Sequence, residues 1–219
     1  MFAKVLAWVS GVSPEILQKM FSYKLKEDYV RPSALDIEAQ KAIIISKKST
    51  CLFYEVGATL FHISRDQKNI HMLSDGYNGA SRGDVNPRVA GCARVVDGVL
   101  KQGEGYCRGS HAELNAIGNC PVDPATYEDV RMMVTLHPCY ICAKQIVNRN
   151  IKTIYYIWEY GREDNVTGYL EERGVTVKKY TSPFLERWIK VNNYHSVGSE
   201  YNKKNHFKWF RRLQRKLFK

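Results

Sequence analysis

Along the chain the apolar positions change period several times. Between about residue 34 and Lys48, Leu35, Ile37, Ala39, Ala42, Ile43 and Ile45 face more than one side of a 3.6-residue period, as in a helix packed on a sheet; Ser33 or Asp36 caps its start. Val56 to Ile63 and Ile70 to Leu73 predict a hairpin of strands, with Asp75-Gly76-Tyr77-Asn78-Gly79 as a turn cluster after the second. Residues 81–110 hold Pro87, Gly91, Gly98, Gly103, Gly105 and Gly109 and no sustained period, so they predict an ordered insertion loop. Beyond it the pattern predicts helix His111–Asn119, strand Arg131–Leu136, helix Cys139–Asn148, strand Thr153–Ile157, helix Val166–Glu172, a turn at Gly174 and strand Val175–Tyr180. Strands alternating with helices imply an α/β fold, a sheet covered on both faces, with chemistry at strand ends and helix starts.

The two ends read differently. Residues 1–33 form an N-terminal extension in which Val5, Leu6 and Val9, then Ile16, Leu17, Met20 and Phe21, make two short amphipathic helices, the second starting at Ser13-Pro14. Arg31-Pro32-Ser33 ends it, and residues 34–182 make the central domain. Residues 183–219 form a C-terminal extension. Its basic amphipathic helix, from about Lys204 to Phe218, sets Phe207, Phe210, Leu213 and Leu217 on one face and cations on the other. The formal charge is +11; residues 203–219 carry eight cations with no acid after Glu200, which leaves +3 for the first 202 residues. Such a helix docks on the core with its cations solvated, follows nucleic-acid phosphates, or lies on an anionic membrane.

Composition narrows the classes. With 219 residues and 44% hydrophobic content, the chain is globular and large enough for a core without disulfides. No apolar run reaches the roughly 18 residues of a transmembrane segment, and the first 12 residues show no small-residue cleavage site. Six cysteines, two of them in one C-x-x-C, fit a reducing interior where thiolates bind metal, so the expected compartment is cytoplasm.

The densest chemistry lies in His111-Ala112-Glu113-Leu114-Asn115-Ala116-Ile117 and, further on, Pro138-Cys139-Tyr140-Ile141-Cys142. His111, Cys139 and Cys142 are three zinc ligands, and three leave a fourth position open for water, the catalytic rather than the structural arrangement. Zinc lowers the pKa of that water so that hydroxide is available near neutral pH, and a neighbouring carboxylate moves protons. Glu113 is that carboxylate. A structural zinc knuckle has no need of it. The grammar H-x-E then P-C-x-x-C is similar to the signature of zinc nucleobase deaminases.

Around these segments residues 34–180 resemble the deoxycytidylate deaminase branch of the zinc-dependent cytidine deaminase superfamily. Ser49-Thr50-Cys51 before Val56-Gly57-Ala58, then Gly76-Tyr77-Asn78-Gly79, the two zinc segments and Gly174-Val175 keep the family's order. The resemblance implies a cytidine-deaminase-like three-layer α/β/α sandwich with a central mixed five-stranded sheet. It implies zinc on His111, Cys139 and Cys142, Glu113 as proton shuttle, Asn78 on the substrate's sugar, and groups around Ala112 and Thr135 to Pro138 holding the pyrimidine. The expected reaction is hydrolytic deamination of deoxycytidine monophosphate, in a homo-oligomer often regulated by deoxynucleoside triphosphates.

Family members often carry a basic residue or two where this chain has Leu52-Phe53-Tyr54-Glu55; if those hold a 5′-phosphate, the role is vacant or moved here. Cys51, Cys92 and Cys107 fall in or beside segments that in some relatives bind a second, structural zinc; otherwise they are three free, mostly buried thiols. Cys120 reads as core. Single-stranded nucleic acid is the alternative substrate, prompted by residues 203–219, by the lost basic residues near Phe53, and by Trp158 and Tyr160, on which a base could stack. A non-catalytic scaffold is disfavoured by Glu113.

Overall fold

Ser33 starts the first helix with a reciprocal cap. Its hydroxyl accepts from the backbone N–H of Asp36, and the Asp36 carboxylate accepts from the backbone N–H of Ser33 at 2.7 Å, which satisfies two of the free donors of a helix start. Both residues named as candidate caps thus share the role. A computed structural model describes residues 13, 31–64, 69–97, 99–101, 106–160 and 165–195. The chain divides into two compact units, Met1–Arg31 and Pro32–Lys219, and the elements below belong to the second. The paired helices expected within 1–33 and the basic helix expected near Lys204 to Phe218 lie outside the described residues.

In chain order the elements are α1 (Ala34–Ser46), β1 (Gly57–Ile63), β2 (Ile70–Tyr77), β3 (Gly79–Ala80), α2 (Pro87–Ala90), β4 (Val95–Val96), β5 (Val99–Leu100), β6 (Gly109–Ser110), α3 (Ala112–Gly118), β7 (Val130–Leu136), α4 (Tyr140–Asn148), β8 (Thr153–Trp158), α5 (Val166–Glu171), β9 (Thr176–Lys179) and α6 (Pro183–Val191). The main sheet has the order β2-β1-β7-β8-β9. β1 pairs antiparallel with β2 and β7, whereas β7–β8 and β8–β9 are parallel, so the sheet is mixed.

Strand alternation divides the side chains between two faces. Ala58, Leu60, Val130, Met132, Val134 and Ile154 pack against Ala112 and Ala116 of α3, Cys142, Ala143 and Ile146 of α4, and Val166 and Leu170 of α5. Phe61, Met133, Tyr155 and Ile157 pack on the other side against Ala39, Ala42 and Ile43 of α1 and Leu185 of α6. A helix layer on each face gives the expected α/β/α sandwich. The parallel crossovers through α4 and α5 place their helices on the same face as α3, so the zinc segments start helices that share one layer.

Two elements differ from the pattern reading. Asp75, Gly76 and Tyr77 belong to β2 instead of a turn, because β1 stays paired with them as far as Gly57 opposite Tyr77. α6 went unpredicted, although Ser182-Pro183 carries the same cap signature as Ser13-Pro14; the Ser182 hydroxyl accepts from Leu185 N at 3.0 Å. Leu185 is core, so residues 183–191 pack on the sheet. The 81–110 segment holds the short α2, the β4–β5 pair and β6, which pairs with β3 just before the segment.

Candidate active site

Two helix starts converge. His111 is the N-cap of α3 and Cys139 the N-cap of α4, and neither side chain makes a capping hydrogen bond. They face each other instead: Nδ1 of His111 lies 3.3 Å from Sγ of Cys139 and 3.3 Å from Sγ of Cys142, and the two sulfurs are 3.7 Å apart. Tetrahedral bonds of about 2.3 Å to sulfur and about 2.0–2.1 Å to nitrogen set sulfurs about 3.8 Å apart and a sulfur about 3.5 Å from the nitrogen. The triad fits zinc. Among the described residues it is the group of three or more donors gathered for a metal ion, all within 4.8 Å of one another.

The three ligand groups shift one another's protonation. A hydrogen bond with Cys142 and the nearby His111 bring the Cys139 thiol down to about 4, while the hydrogen bond with Cys139 lifts His111 to about 9. Cys142 is raised well above the ordinary thiol range by its bond to Cys139 and by burial. Metal loading needs neutral imidazole and thiolates, so it releases protons here.

Glu113, in the first turn of α3, is 5% exposed. Burial first, then negative charge on Cys139, pushes its carboxyl up to about 7 against the pull of His111. A carboxyl in that range both takes up and gives back a proton near neutral pH.

A cavity of about 700 Å³ opens beside the triad. Of the residues expected to meet substrate, Asn78, Ala112 and Tyr160 border it; Pro138 is buried between His137 and Cys139, which do border it. Tyr160 meets Tyr54 edge to face at 5.7 Å. Asn78, 9% exposed, accepts from Val56 N at 2.8 Å and donates to the Tyr54 carbonyl at 3.0 Å, so it ties the wall segment before β1 to the end of β2. Its φ is not positive, so a left-handed turn is not the reason for asparagine here. The flanking glycines answer to close approach. A Cβ at Gly76 would meet Ala116 N at 2.3 Å, and one at Gly79 would meet Thr50 Oγ1 at 2.2 Å.

Residues in and between the motif segments complete the wall. Leu136, His137, Ile141, Phe53, Tyr54, Arg94 and Arg108 border the cavity, and His137 is anchored through Nε2 to Thr167 Oγ1 at 2.9 Å. Leu136, His137 and Ile141 lie in or beside the second zinc segment, whereas Phe53, Tyr54, Arg94 and Arg108 come from separate segments that the tertiary fold brings to the cavity. Trp158, expected near the site, packs instead with the cluster under α1 and α6. Cys51, Cys92 and Cys107 all border the cavity, but their sulfurs do not gather into a metal-binding group. Cys120 packs against the α3–α5 cluster.

Known proteins with similar chains agree with this geometry. ComE operon protein 2 of Bacillus subtilis (strain 168) is 34% identical over 137 residues, covering 62% of this chain and 65% of that protein. A deoxycytidylate deaminase of Schizosaccharomyces pombe is 27% identical over 160 residues, 73% of this chain and 48% of that one. The chain therefore spans less than two thirds of the length of either relative. The crystal structure of a dCMP deaminase from the cyanophage S-TIM5, in complex with dCMP and dUMP, is 27% identical with a TM-score of 0.52, covering 69% of this chain and all of that one. Residues 38–158, which contain the triad, Glu113 and Asn78, match the cytidine and deoxycytidylate deaminase zinc-binding region, and the chain belongs to that family.

Proposed function

We propose that the protein hydrolyses dCMP to dUMP and ammonia. The observation that carries this reading is the buried Glu113 carboxyl beside the His111–Cys139–Cys142 triad, at the wall of a cavity that Asn78 and Tyr160 also border. When bound to the triad, zinc supplies a Lewis acid that makes water nucleophilic near neutral pH. Glu113 takes one proton from the attacking water and passes it to N3 of the cytosine as the oxygen adds to C4. It then carries the remaining hydroxyl proton to the 4-amino group; the C4–N bond breaks, ammonia leaves and C4 becomes the carbonyl of uracil. Asn78 contacts the sugar with the valences its backbone bonds leave over, one lone pair on Oδ1 and one N–H on Nδ2. Ala112 and the backbone around Pro138 hold the base edge, and Tyr160 faces its ring.

The relatives support the nucleotide over a nucleic-acid strand: the S. pombe relative is a deoxycytidylate deaminase and the cyanophage protein is seen with dCMP and dUMP. Among the described residues no helix is long and apolar enough to cross a membrane. Family resemblance further supports a homo-oligomer responsive to deoxynucleoside triphosphates and working in the cytoplasm. Zinc-loaded protein assayed for ammonia release from dCMP, dCTP, cytidine and a cytosine-bearing single-stranded oligonucleotide tests the substrate. Turnover of dCMP above the other three is the expected result; oligonucleotide turnover above dCMP overturns it.

A further inference from the structure

β7 ends at Leu136 and α4 begins at Tyr140, so Leu136-His137-Pro138-Cys139 carries the chain from the sheet to the metal triad. His137 N donates to the Trp158 carbonyl at 2.9 Å, which extends the β7–β8 ladder by one residue. Pro138 has no N–H with which to continue it. Ala143 N donates to the Cys139 carbonyl at 2.8 Å, already inside α4. Between ladder and helix the His137 ring reaches across to α5. Its Nε2 lies 2.9 Å from Thr167 Oγ1, and the Tyr156 ring meets it edge to face at 4.8 Å. Thr167 is in the first turn of α5, next to Val166, which is buried in the same core as Cys142 and Ile146 of α4. The helix start is held by that core, so the hydroxyl is a fixed post for the ring. His137 borders the cavity, as do Cys139 and Glu113. The start of a third helix therefore joins those of α3 and α4 at one end of the sheet, and the hydroxyl–imidazole contact is the joint.

We propose that Thr167 is a positioning residue for the deamination: through His137 it sets the turn that carries the Pro138 backbone and Cys139, and with it the place of the base edge relative to Glu113. The inference rests on the activity reading of the site and adds a residue outside both zinc segments. A base displaced against Glu113 keeps most of its contacts but loses alignment for proton transfer, so the loss falls on turnover and not on binding.

A double-mutant cycle on the zinc-loaded full chain tests it. Thr167→Val keeps the branching and removes the hydroxyl; kcat for dCMP falls about 3- to 10-fold with KM nearly unchanged, the worth of one hydrogen bond. Thr167→Ser recovers most of the loss. In a His137→Phe background, which keeps a ring but has no Nε2, Thr167→Val changes nothing further, because the pair acts as one unit. The rate at which a chelator withdraws zinc needs no turnover; it rises by a similar factor in either single variant and no more in the double. If Thr167→Val lowers Tm but leaves kcat and zinc release as in wild type, the role is merely structural and the proposal is wrong. A rise in KM alone, or effects that add across the cycle, overturn it too. Wild-type protein that does not turn over dCMP removes the activity reading, and the zinc-release cycle then decides this inference by itself: faster, non-additive release upholds Thr167 as the residue that positions the turn, and unchanged release refutes it.

Discussion

Replacing Asn78 by alanine perturbs stability and catalysis by separate amounts. The side chain makes two hydrogen bonds, from Val56 N at 2.8 Å and to the Tyr54 carbonyl at 3.0 Å, while the backbone bond from Asn78 N to the Val56 carbonyl at 3.1 Å survives the change. At about 0.5–1.5 kcal/mol net for each, the loss is about 1–3 kcal/mol. For a chain of this size that corresponds to a fall in Tm of about 2–12 °C. The lost sugar contact and the loosened Tyr54 wall lower kcat/KM for dCMP by roughly ten-fold, measured well below the lowered Tm. Differential scanning fluorimetry and steady-state ammonia release read the two effects independently. Asn78→Gly behaves like alanine, because the backbone here is not left-handed. An unchanged Tm would refute the bracing role, and wild-type kinetics at a lowered Tm would refute the sugar contact.

Glu113→Gln keeps fold and zinc but loses turnover by at least about 10²–10⁴, because the ligands are untouched and proton transfer is removed; near-normal ammonia release in this variant contradicts the mechanism. Cys139→Ser loses the metal, and elemental analysis of wild type gives about one zinc per chain; a count of two would mean that Cys51, Cys92 and Cys107 do gather around an ion. Asp36 accepts from Ser33 N and Oγ at 2.7 Å, from the Tyr180 hydroxyl at 3.0 Å and from the Ser182 hydroxyl, so it joins α1, the chain after β9 and the start of α6. Burial opposes its charge, but these bonds together hold its carboxyl below the ordinary value. A lowered folded value stabilises above the unfolded one, near 3.9, and the benefit fades as pH drops through the folded value. Asp36→Asn therefore costs roughly 2–3 kcal/mol at pH 7, and urea midpoints of the two proteins converge below about pH 4; a gap that stays constant with pH rules out this origin.

The reacting group was legible in the chain because its parts are local. His111 and Glu113 lie two residues apart, Cys139 and Cys142 one helical turn apart, and both start helices whose caps and periods are written in neighbouring residues. The α/β class was legible for the same reason, since periods of 2 and 3.6 are short-range properties. The end of β2 was misread because Asp75-Gly76-Tyr77 has turn composition, and only pairing with β1 and the close passage of α3 explain the glycine there. α6 went unpredicted although its cap is local, because its burial depends on the far face of the sheet. Trp158 alternates in phase with Ile154 and Tyr156 and pairs opposite Leu136, yet packs with the α1–α6 cluster; at this strand end packing contacts, and not the period of two, place the side chain. The wall of the cavity lay furthest from sequence reading. Phe53, Arg94 and Tyr160 have no fixed spacing and come from three separate segments that border one cavity. Sequence alone determined which atoms can bind zinc and move a proton, since that chemistry belongs to residue types at short spacing. Tertiary structure decided which thiols gather, which carboxyl is dry and which arginine borders the cavity, since those depend on distances between segments that no local period encodes.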